Sequence, residues 1–307
     1  MARKSSFTAS DGKKIEYYTW IPKDEVIGVV QIVHGMAEHA IRYDHFAAKL
    51  RKKGFAVYAC DLRGHGKSAE ATHDLGYFAS ENGWFRVVDD LSELTEIIKK
   101  EHPDKNVFLL GHSMGSFFAR NLMITHGLDY QGVILSGTAA DPGIKGSIGK
   151  FIAARAVKKD GGKVPNQRLN DMSFGSYNKA FAPNRTEFDW LSRDNKQVDA
   201  YVNDPLCGFV CTSKFYEDLF TGLLFINNSK EIARIPKNLP VLLVSGAMDP
   251  VGEKGKGTKK VYTKFKGIGM LDVSMNLFAD ARHEILNETN RNEVENYCIG
   301  WIEKHLA

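Results

Sequence analysis

The strongest chemical signal in the sequence is a serine flanked by glycines. The stretch GHSMG, at residues 111–115, follows the apolar run VFLL at 107–110 and precedes a helical pattern at 116–124. A nucleophile on a sharp strand-to-helix turn needs small neighbours, because bulky side chains would clash in the strained backbone. The amino terminus of the following helix stabilises developing negative charge. We therefore predict that Ser113 is a nucleophile, with a purely structural Gly-Ser turn as the alternative.

A serine hydroxyl needs a base, and the base needs an acid that orients it. In a sheet with this kind of serine turn, the chain order is serine, then acid, then histidine. His283 follows the last apolar strand pattern and Asp249 follows the preceding one, so both should lie at the carboxyl edge with Ser113. We predict the triad Ser113, Asp249 and His283. Asp141 is a rival for the acid, and Asp249 before Pro250 also suits a simple turn.

Acyl transfer also requires two backbone N–H groups that bind the oxyanion. We predict that one belongs to Met114, the residue after the nucleophile. The other should come from the loop HGMAEH at 34–39, where Met36 is the candidate. His34 is a weaker candidate for the base than His283. We expect Glu38 and His39 to lie at a solvated helix start, with positions that face the substrate as the alternative.

The stretch DLRGHGKS at 61–68 ends like a phosphate-binding loop. That pattern requires a glycine where Asp61 stands, so the stretch does not predict a nucleotide site. Gly64 and Gly66 instead predict a sharp backbone turn. We expect Arg63 and His65 to hold neighbouring loops, including the loop that carries Met36.

Apolar runs and helical patterns alternate along much of the chain, which predicts an α/β fold with a mostly parallel central sheet flanked by helices. Ile15–Trp20 alternates in polarity and is predicted to be an antiparallel edge strand. The predicted buried strands are residues 26–33, 55–60, 106–110, 132–135, 240–245 and 271–278, and the predicted helices are residues 41–53, about 87–98, 113–125 and 290–306.

The alternation stops between about residues 138 and 237, and so long a connection between strands predicts an inserted lid. We expect a core in two parts, residues 1–137 and 238–307, with a lid or cap at 138–237 between them. Within this lid, residues 145–159 predict a basic helix with Ile148, Phe151, Ile152 and Ala156 on one stripe. Such a helix can rest on a membrane surface or pack on its own domain.

The overall composition is ordinary for a globular enzyme: 43% of the 307 residues are hydrophobic, 25% are charged and the net charge is +4. This charge is too small to indicate nucleic-acid binding. The four scattered cysteines do not form a zinc motif, and the amino terminus has no apolar stretch typical of a secretory signal. We expect a cytoplasmic protein with reduced thiols.

Taken together, these motifs resemble those of the α/β-hydrolase superfamily, and within it the monoacylglycerol lipase and lysophospholipase group of serine hydrolases. The matching pieces are HGMAEH at 34–39, DLRGHGKS at 61–68, GHSMG at 111–115, GAMD at 246–249 and RHE at 282–284. The resemblance implies catalytic Ser113, Asp249 and His283, with an oxyanion hole formed by Met36 and Met114. It implies no organic cofactor and no metal.

The sequence thus predicts a serine hydrolase that cleaves a monoacylglycerol, a lysophospholipid or a related small acyl ester. A peptidase of the same fold remains open, because Glu187 or Asp189 is available to hold a substrate amine. An inactive hydrolase fold used as a binding module is the other alternative. Enzymes of this fold that use an aspartate nucleophile are disfavoured by Ser113.

Overall fold

The computed structural model describes residues 2–306, which fold around one eight-stranded sheet. The order of the strands across the sheet is β1-β2-β4-β3-β5-β6-β7-β8. The strands are β1 Arg3–Thr8, β2 Lys14–Trp20, β3 Gly28–Val33, β4 Phe55–Cys60, β5 Val107–His112, β6 Gly132–Ser136, β7 Val241–Gly246 and β8 Val273–Phe278.

All pairings from β4 through β3 to β8 are parallel, whereas β1 and β2 are antiparallel to their neighbours. This confirms the predicted α/β fold with a mostly parallel sheet. The prediction that Ile15–Trp20 is an edge strand was wrong, because β1 pairs along its outer side. The sequence RKSSFT of β1 is polar and largely exposed, so it lacks the apolar run by which the other strands were found.

Ten α-helices occur among residues 2–306, and none of them is both long and apolar enough to cross a membrane. They are α1 Asp44–Lys52, α2 Gly83–Glu101, α3 Met114–Thr125, α4 Ile144–Asp160, α5 Gln167–Phe174, α6 Asn195–Asn203, α7 Ser213–Asn227, α8 Ser229–Ile232, α9 Lys256–Gly267 and α10 Arg291–Lys304.

Two hydrophobic cores lie on opposite faces of the sheet. Successive side chains of a strand point to opposite faces, so Val29 and Val33 of β3 enter one core while Val30 and Ile32 enter the other. Apolar residues of α2, α3, α7 and α9 fill the first core, and those of α1 and α10 fill the second. Because both faces are covered, the central strands are continuous apolar runs.

Helices α4 to α8 all lie in the connection between β6 and β7. Helix α4 packs against α7 through a face of small residues that includes Gly146, Gly149 and Ala153. A Cβ added at Gly149 would lie 2.5 Å from the Phe220 ring, so the two helices approach closely.

The outer face of α4 is apolar, with Ile144, Ile148 and Phe151 80%, 52% and 62% exposed. The structure differs from the stripe that the sequence predicted for this helix. Ile152 is partly buried against the core, whereas Ile148 and Phe151 point away from it. The small residues mediate packing here, and this leaves the larger side chains on the surface.

Candidate active site

Ser113 lies on the turn between β5 and α3, with φ 52° and ψ −120°. A positive φ is strained for a residue with a Cβ and marks many functional sites. The flanking glycines are required by close backbone approach. A Cβ at Gly111 would lie 2.3 Å from the carbonyl oxygen of Gly115, and a Cβ at Gly115 would lie 2.1 Å from that of Val33.

His283 and Asp249 form a buried pair at the carboxyl edge of the sheet. The Nδ1 atom of His283 lies 3.0 Å from Oδ1 of Asp249, in the loops that follow β8 and β7. Asp249 also accepts hydrogen bonds from the Ser245 hydroxyl and the Val251 amide, at 3.1 and 2.9 Å. Burial alone would lower the pKa of His283, but the Asp249 carboxylate raises it above its ordinary value.

Asp141, the rival acid, takes no part in this pair. It is exposed, and its carboxylate accepts a hydrogen bond from the amide of Gly143, two residues further on. Ser113 and His283 line the same cavity, together with His112, whose ring centroid lies 4.8 Å from that of His283. Burial lowers the pKa of His112 to about 4, so its ring is neutral near pH 7.

The loop of residues 34–39, here called the oxyanion loop, runs beside Ser113. Met36 lines the cavity, and a Cβ at Gly35 would lie 3.2 Å from the Cβ of Ser113. Met114 is the first residue of α3, where a helix has no internal acceptor for the N–H group. The backbone positions predicted for the oxyanion hole therefore flank the serine.

His34 is fully engaged in holding the oxyanion loop. Its Nδ1 lies 2.7 Å from the Gly35 carbonyl oxygen, and its Nε2 accepts the Leu62 amide at 2.9 Å. Burial lowers its pKa well below the ordinary value. Both ring nitrogens therefore have protein partners, which is consistent with a structural role.

The expectation of a solvated helix start at Glu38 was wrong, because Glu38 is only 3% exposed. Its carboxylate accepts hydrogen bonds from the Gly35 amide, the Tyr43 hydroxyl and Arg42. Arg42 also binds Glu284, the residue after His283. This cluster was not predicted from the sequence, although Glu38 and Arg42 have the spacing of an ion pair within one helical turn.

Residues 61–68 support the oxyanion loop, but not through the contact expected of Arg63. Asp61 accepts the amides of Ala40 and Lys67, at 2.9 and 2.7 Å. Arg63 does not reach the loop that carries Met36; it binds Asp11 and Asp90 instead.

The remaining residues of the stretch fit the expectation more closely. The His65 ring lies 5.3 Å from the His34 ring, between centroids. Gly64 and Gly66 both have positive φ, and a Cβ at Gly66 would lie 2.3 Å from the Asp61 carboxylate. The turn therefore needs glycine for close packing around Asp61.

The cavity over Ser113 has a volume of about 430 Å³ and is lined mainly by residues between β6 and β7. Its apolar wall and its polar rim come from different residues. The apolar wall includes Phe174, Phe188, Trp190, Leu191, Phe209 and Val210, and the polar rim includes Gln167, Asn170, Asp171, Asn178, Asn184 and Glu187.

Of the two carboxylates that a peptidase could use, Glu187 is exposed and lines this cavity. The other, Asp189, is only 7% exposed and accepts hydrogen bonds from the backbone amides of Arg185 and Thr186. Asp189 therefore stabilises its own turn, and only Glu187 is placed to meet a ligand.

Among residues 2–306, one group has side chains close enough to hold a metal ion. Ligand atoms of His39, Asp204 and Cys207 lie within 4.8 Å of one another. His39 and Asp204 are already joined by a 2.8 Å hydrogen bond, which ties the oxyanion loop to the segment after α6. All four cysteines are free and buried.

A mostly parallel sheet with a strained serine between strand and helix, in a cavity shared with the histidine of a buried His–Asp pair, defines the protein as an α/β-hydrolase. Residues 24–290 match the profile of the Hydrolase_4 family, described as serine aminopeptidase S33. The chain belongs to this family.

Relatives of known activity extend over nearly the whole chain. The chain is 29% identical to a monoacylglycerol lipase of Mycolicibacterium smegmatis, over 98% of this chain and 97% of that one. It is 26% identical to the monoglyceride lipase of Mus musculus, over 97% and 89%.

A solved structure is also similar throughout. It is a thermostable carboxyl esterase from Bacillus coagulans in complex with glycerol, with a TM-score of 0.92 and 28% identity, covering 100% of this chain and 99% of that one. The protein is a carboxylic ester hydrolase. The family description names a peptidase, whereas these relatives are lipases and an esterase.

Proposed function

We propose that the protein hydrolyses carboxylic esters through an acyl-enzyme formed on Ser113. The observation that carries this proposal is the 3.0 Å contact between His283 Nδ1 and Asp249 Oδ1, in a site that also contains the strained Ser113. With Nδ1 bound to Asp249, Nε2 is the ring nitrogen that serves the serine hydroxyl.

In the first half of the reaction, Ser113 Oγ attacks the ester carbonyl and His283 Nε2 takes its proton. The amides of Met36 and Met114 bind the oxyanion, and His283 returns the proton to the departing alcohol. Asp249 holds the imidazole tautomer and stabilises the imidazolium. Water, activated by His283, then releases the acid and restores Ser113. The steps require no metal and no organic cofactor.

The substrate that fits the cavity best is a small acyl ester with an apolar acyl group and a polar head group. The aromatic and aliphatic wall suits an acyl chain, and the amide-rich rim suits hydroxyl groups. Together with the monoacylglycerol and monoglyceride lipases among its relatives, this favours a monoacylglycerol, with a lysophospholipid as the next candidate.

Residues 138–237 act as a lid in this proposal, with the core formed by residues 1–137 and 238–307. Most of the cavity lining comes from this connection, which supports the assignment. The lid also offers a surface for a lipid bilayer, since the exposed apolar face of α4 is accompanied by basic residues. Those basic residues are Lys145, Lys150, Arg155, Lys158 and Lys159. We propose transient membrane contact through this face.

A fluorophosphonate probe and a hydrolysis panel test the proposal together. We expect the probe to label the wild-type protein and not Ser113→Ala, with esterase activity lost in the same variant. The panel compares short p-nitrophenyl esters, monoacylglycerols, lysophospholipids and aminoacyl amides. Activity confined to the amides would assign the site to a peptidase that uses Glu187, and absence of wild-type labelling would indicate a binding module.

A further inference from the structure

A buried arginine joins the oxyanion loop to the loop that carries His283. The Arg42 side chain is 10% exposed. Its Nη1 atom lies 2.6 Å from both Glu38 and Glu284, and its Nη2 atom lies 2.7 Å from the second carboxylate oxygen of Glu284. The guanidinium thus binds Glu284 with two parallel hydrogen bonds and Glu38 with a third. Glu38 and Glu284 are 246 positions apart in the chain, so only the folded structure brings them to one cation.

On one side, Glu38 fixes the conformation of the oxyanion loop. Its Oε1 atom accepts the Gly35 amide at 2.5 Å, immediately before Met36. Within the same loop, Ala37 has a φ of 51°, which an alanine adopts only when its surroundings impose it. The direction of the Met36 N–H group therefore depends on the Glu38 carboxylate staying in place.

On the other side, Glu284 fixes the histidine loop, residues 279–284. The amide of Glu284 donates to the Leu191 carbonyl at 2.7 Å, and its carboxylate accepts a hydrogen bond from Asn287 at 3.0 Å. Because His283 precedes Glu284 directly, a displacement of the Glu284 carboxylate also displaces the His283 imidazole.

Charge also couples the cluster to His283. Burial would raise the pKa values of Glu38 and Glu284, but Arg42 lowers both, so the two carboxylates remain ionised around one cation. The excess negative charge, with that of Asp249, favours protonated His283. His112 also faces the His283 ring and is neutral near pH 7. Besides the two carboxylates, the charged side chain of the cluster is that of Arg42.

We propose that Glu38, Arg42 and Glu284 are positioning residues that hold the Met36 amide in register with His283. The inference rests on the proposed ester hydrolysis at Ser113. The oxyanion hole and the base belong to loops after different strands, β3 and β8, and a catalytic constellation tolerates displacements of well under 1 Å. A planar guanidinium sets the spacing of two carboxylates, whereas a lysine ammonium acts as a point charge and does not.

Arg42→Lys and Glu284→Gln test this assignment. Each variant is purified as the full chain, and its active sites are titrated so that kcat refers to folded, competent enzyme. We expect kcat to fall about 10- to 100-fold, with KM changed less than about 3-fold, because an oxyanion donor acts in the transition state. Affinity for a trifluoromethyl ketone, which forms a tetrahedral adduct, should fall in parallel with kcat. In Glu284→Gln the acid limb of the pH profile should also move to lower pH, because a carboxylate near His283 is lost.

Arg63→Lys is the matched control. Arg63 is also a buried arginine shared by two carboxylates, Asp11 and Asp90, but it contacts neither loop. We expect it to lower the melting temperature without changing kcat per titrated site. The inference is overturned if Arg42→Lys and Glu284→Gln retain wild-type kcat and inhibitor affinity, or if Arg63→Lys loses as much of both. Failure of the proposed function has a different signature, namely wild-type protein without Ser113-dependent ester hydrolysis.

Discussion

In the proposed mechanism, the charge state of His283 sets the acid limit of activity. Burial would lower its pKa, but Asp249 opposes this and raises the pKa above the ordinary value. The proposed base must be neutral, so kcat/KM should fall as the pH drops through a midpoint above the ordinary pKa of a histidine. In Asp249→Asn the raising charge is gone, and we expect that midpoint to move lower while kcat drops at least about 10³-fold. A pH profile of kcat/KM for both proteins checks this; a midpoint that is unchanged in the variant contradicts it.

At the scale of the residue, chain order and position after a strand pointed to residues that the fold brings together, although they left Asp141 open as the acid. Asp249 and His283 follow neighbouring parallel strands, so their loops had to meet, and Ser113 follows a strand of the same sheet. Their catalytic roles stay a prediction until the Ser113 experiment. The Glu38–Arg42–Glu284 cluster was missed because Glu284 lies 242 positions from Arg42, and no local pattern reports a contact over that separation.

The turn between β5 and α3 works only if α3 can approach the sheet closely. Gly115 is the contact point, because a Cβ there would lie 2.1 Å from the backbone carbonyl oxygen of Val33. We expect Gly115→Ala to lower the free energy of unfolding by about 1–3 kcal/mol or more and to displace Ser113, with loss of fluorophosphonate labelling.

Gly300→Ala is the control for this prediction, since Gly300 lies in α10 with nothing within 4 Å of an added Cβ. Alanine is the better helix former, so this variant should gain up to about 1 kcal/mol and label normally. Urea unfolding measures the free energy of unfolding of both variants, and fluorophosphonate labelling reports whether Ser113 remains reactive in each. Equal effects of the two substitutions would mean that close packing at Gly115 is not what the turn requires.

The elements of the core were predictable because burial on both faces gives a strand an uninterrupted apolar sequence. Elements with one solvated face were harder to predict from the sequence. Strand β1 has no apolar run, and α4 packs through Gly146, Gly149 and Ala153 rather than through its larger apolar residues. A sequence pattern reports which residues share a helix face, but not which face meets the rest of the protein.

At the scale of the whole molecule, basic side chains and exposed apolar side chains lie together on the outer face of α4. The net charge of +4 is small, so a uniform attraction to anionic surfaces would be weak. Concentrated in one helix beside Ile144, Ile148 and Phe151, however, basic residues contribute about 1 kcal/mol each near an anionic bilayer. The guanidinium of Arg155 lies 5.7 Å from the Phe151 ring, so apolar and cationic groups are interleaved on this face.

If this face docks on lipid, the protein should sediment with vesicles of anionic phospholipid at low salt and less at high salt, as screening weakens the attraction. Ile148→Ser combined with Phe151→Ser should reduce the partition coefficient at least about 10-fold, because two apolar side chains no longer enter the bilayer. Both residues are exposed, so folding and hydrolysis of a soluble p-nitrophenyl ester should be unchanged.

Leu271→Ser is the control for this prediction. Leu271 is 74% exposed, but it lies before β8, at the amino ends of the parallel strands and therefore opposite the active site. Equal loss of vesicle binding in the control, or none in the double variant, would exclude α4 as the docking face.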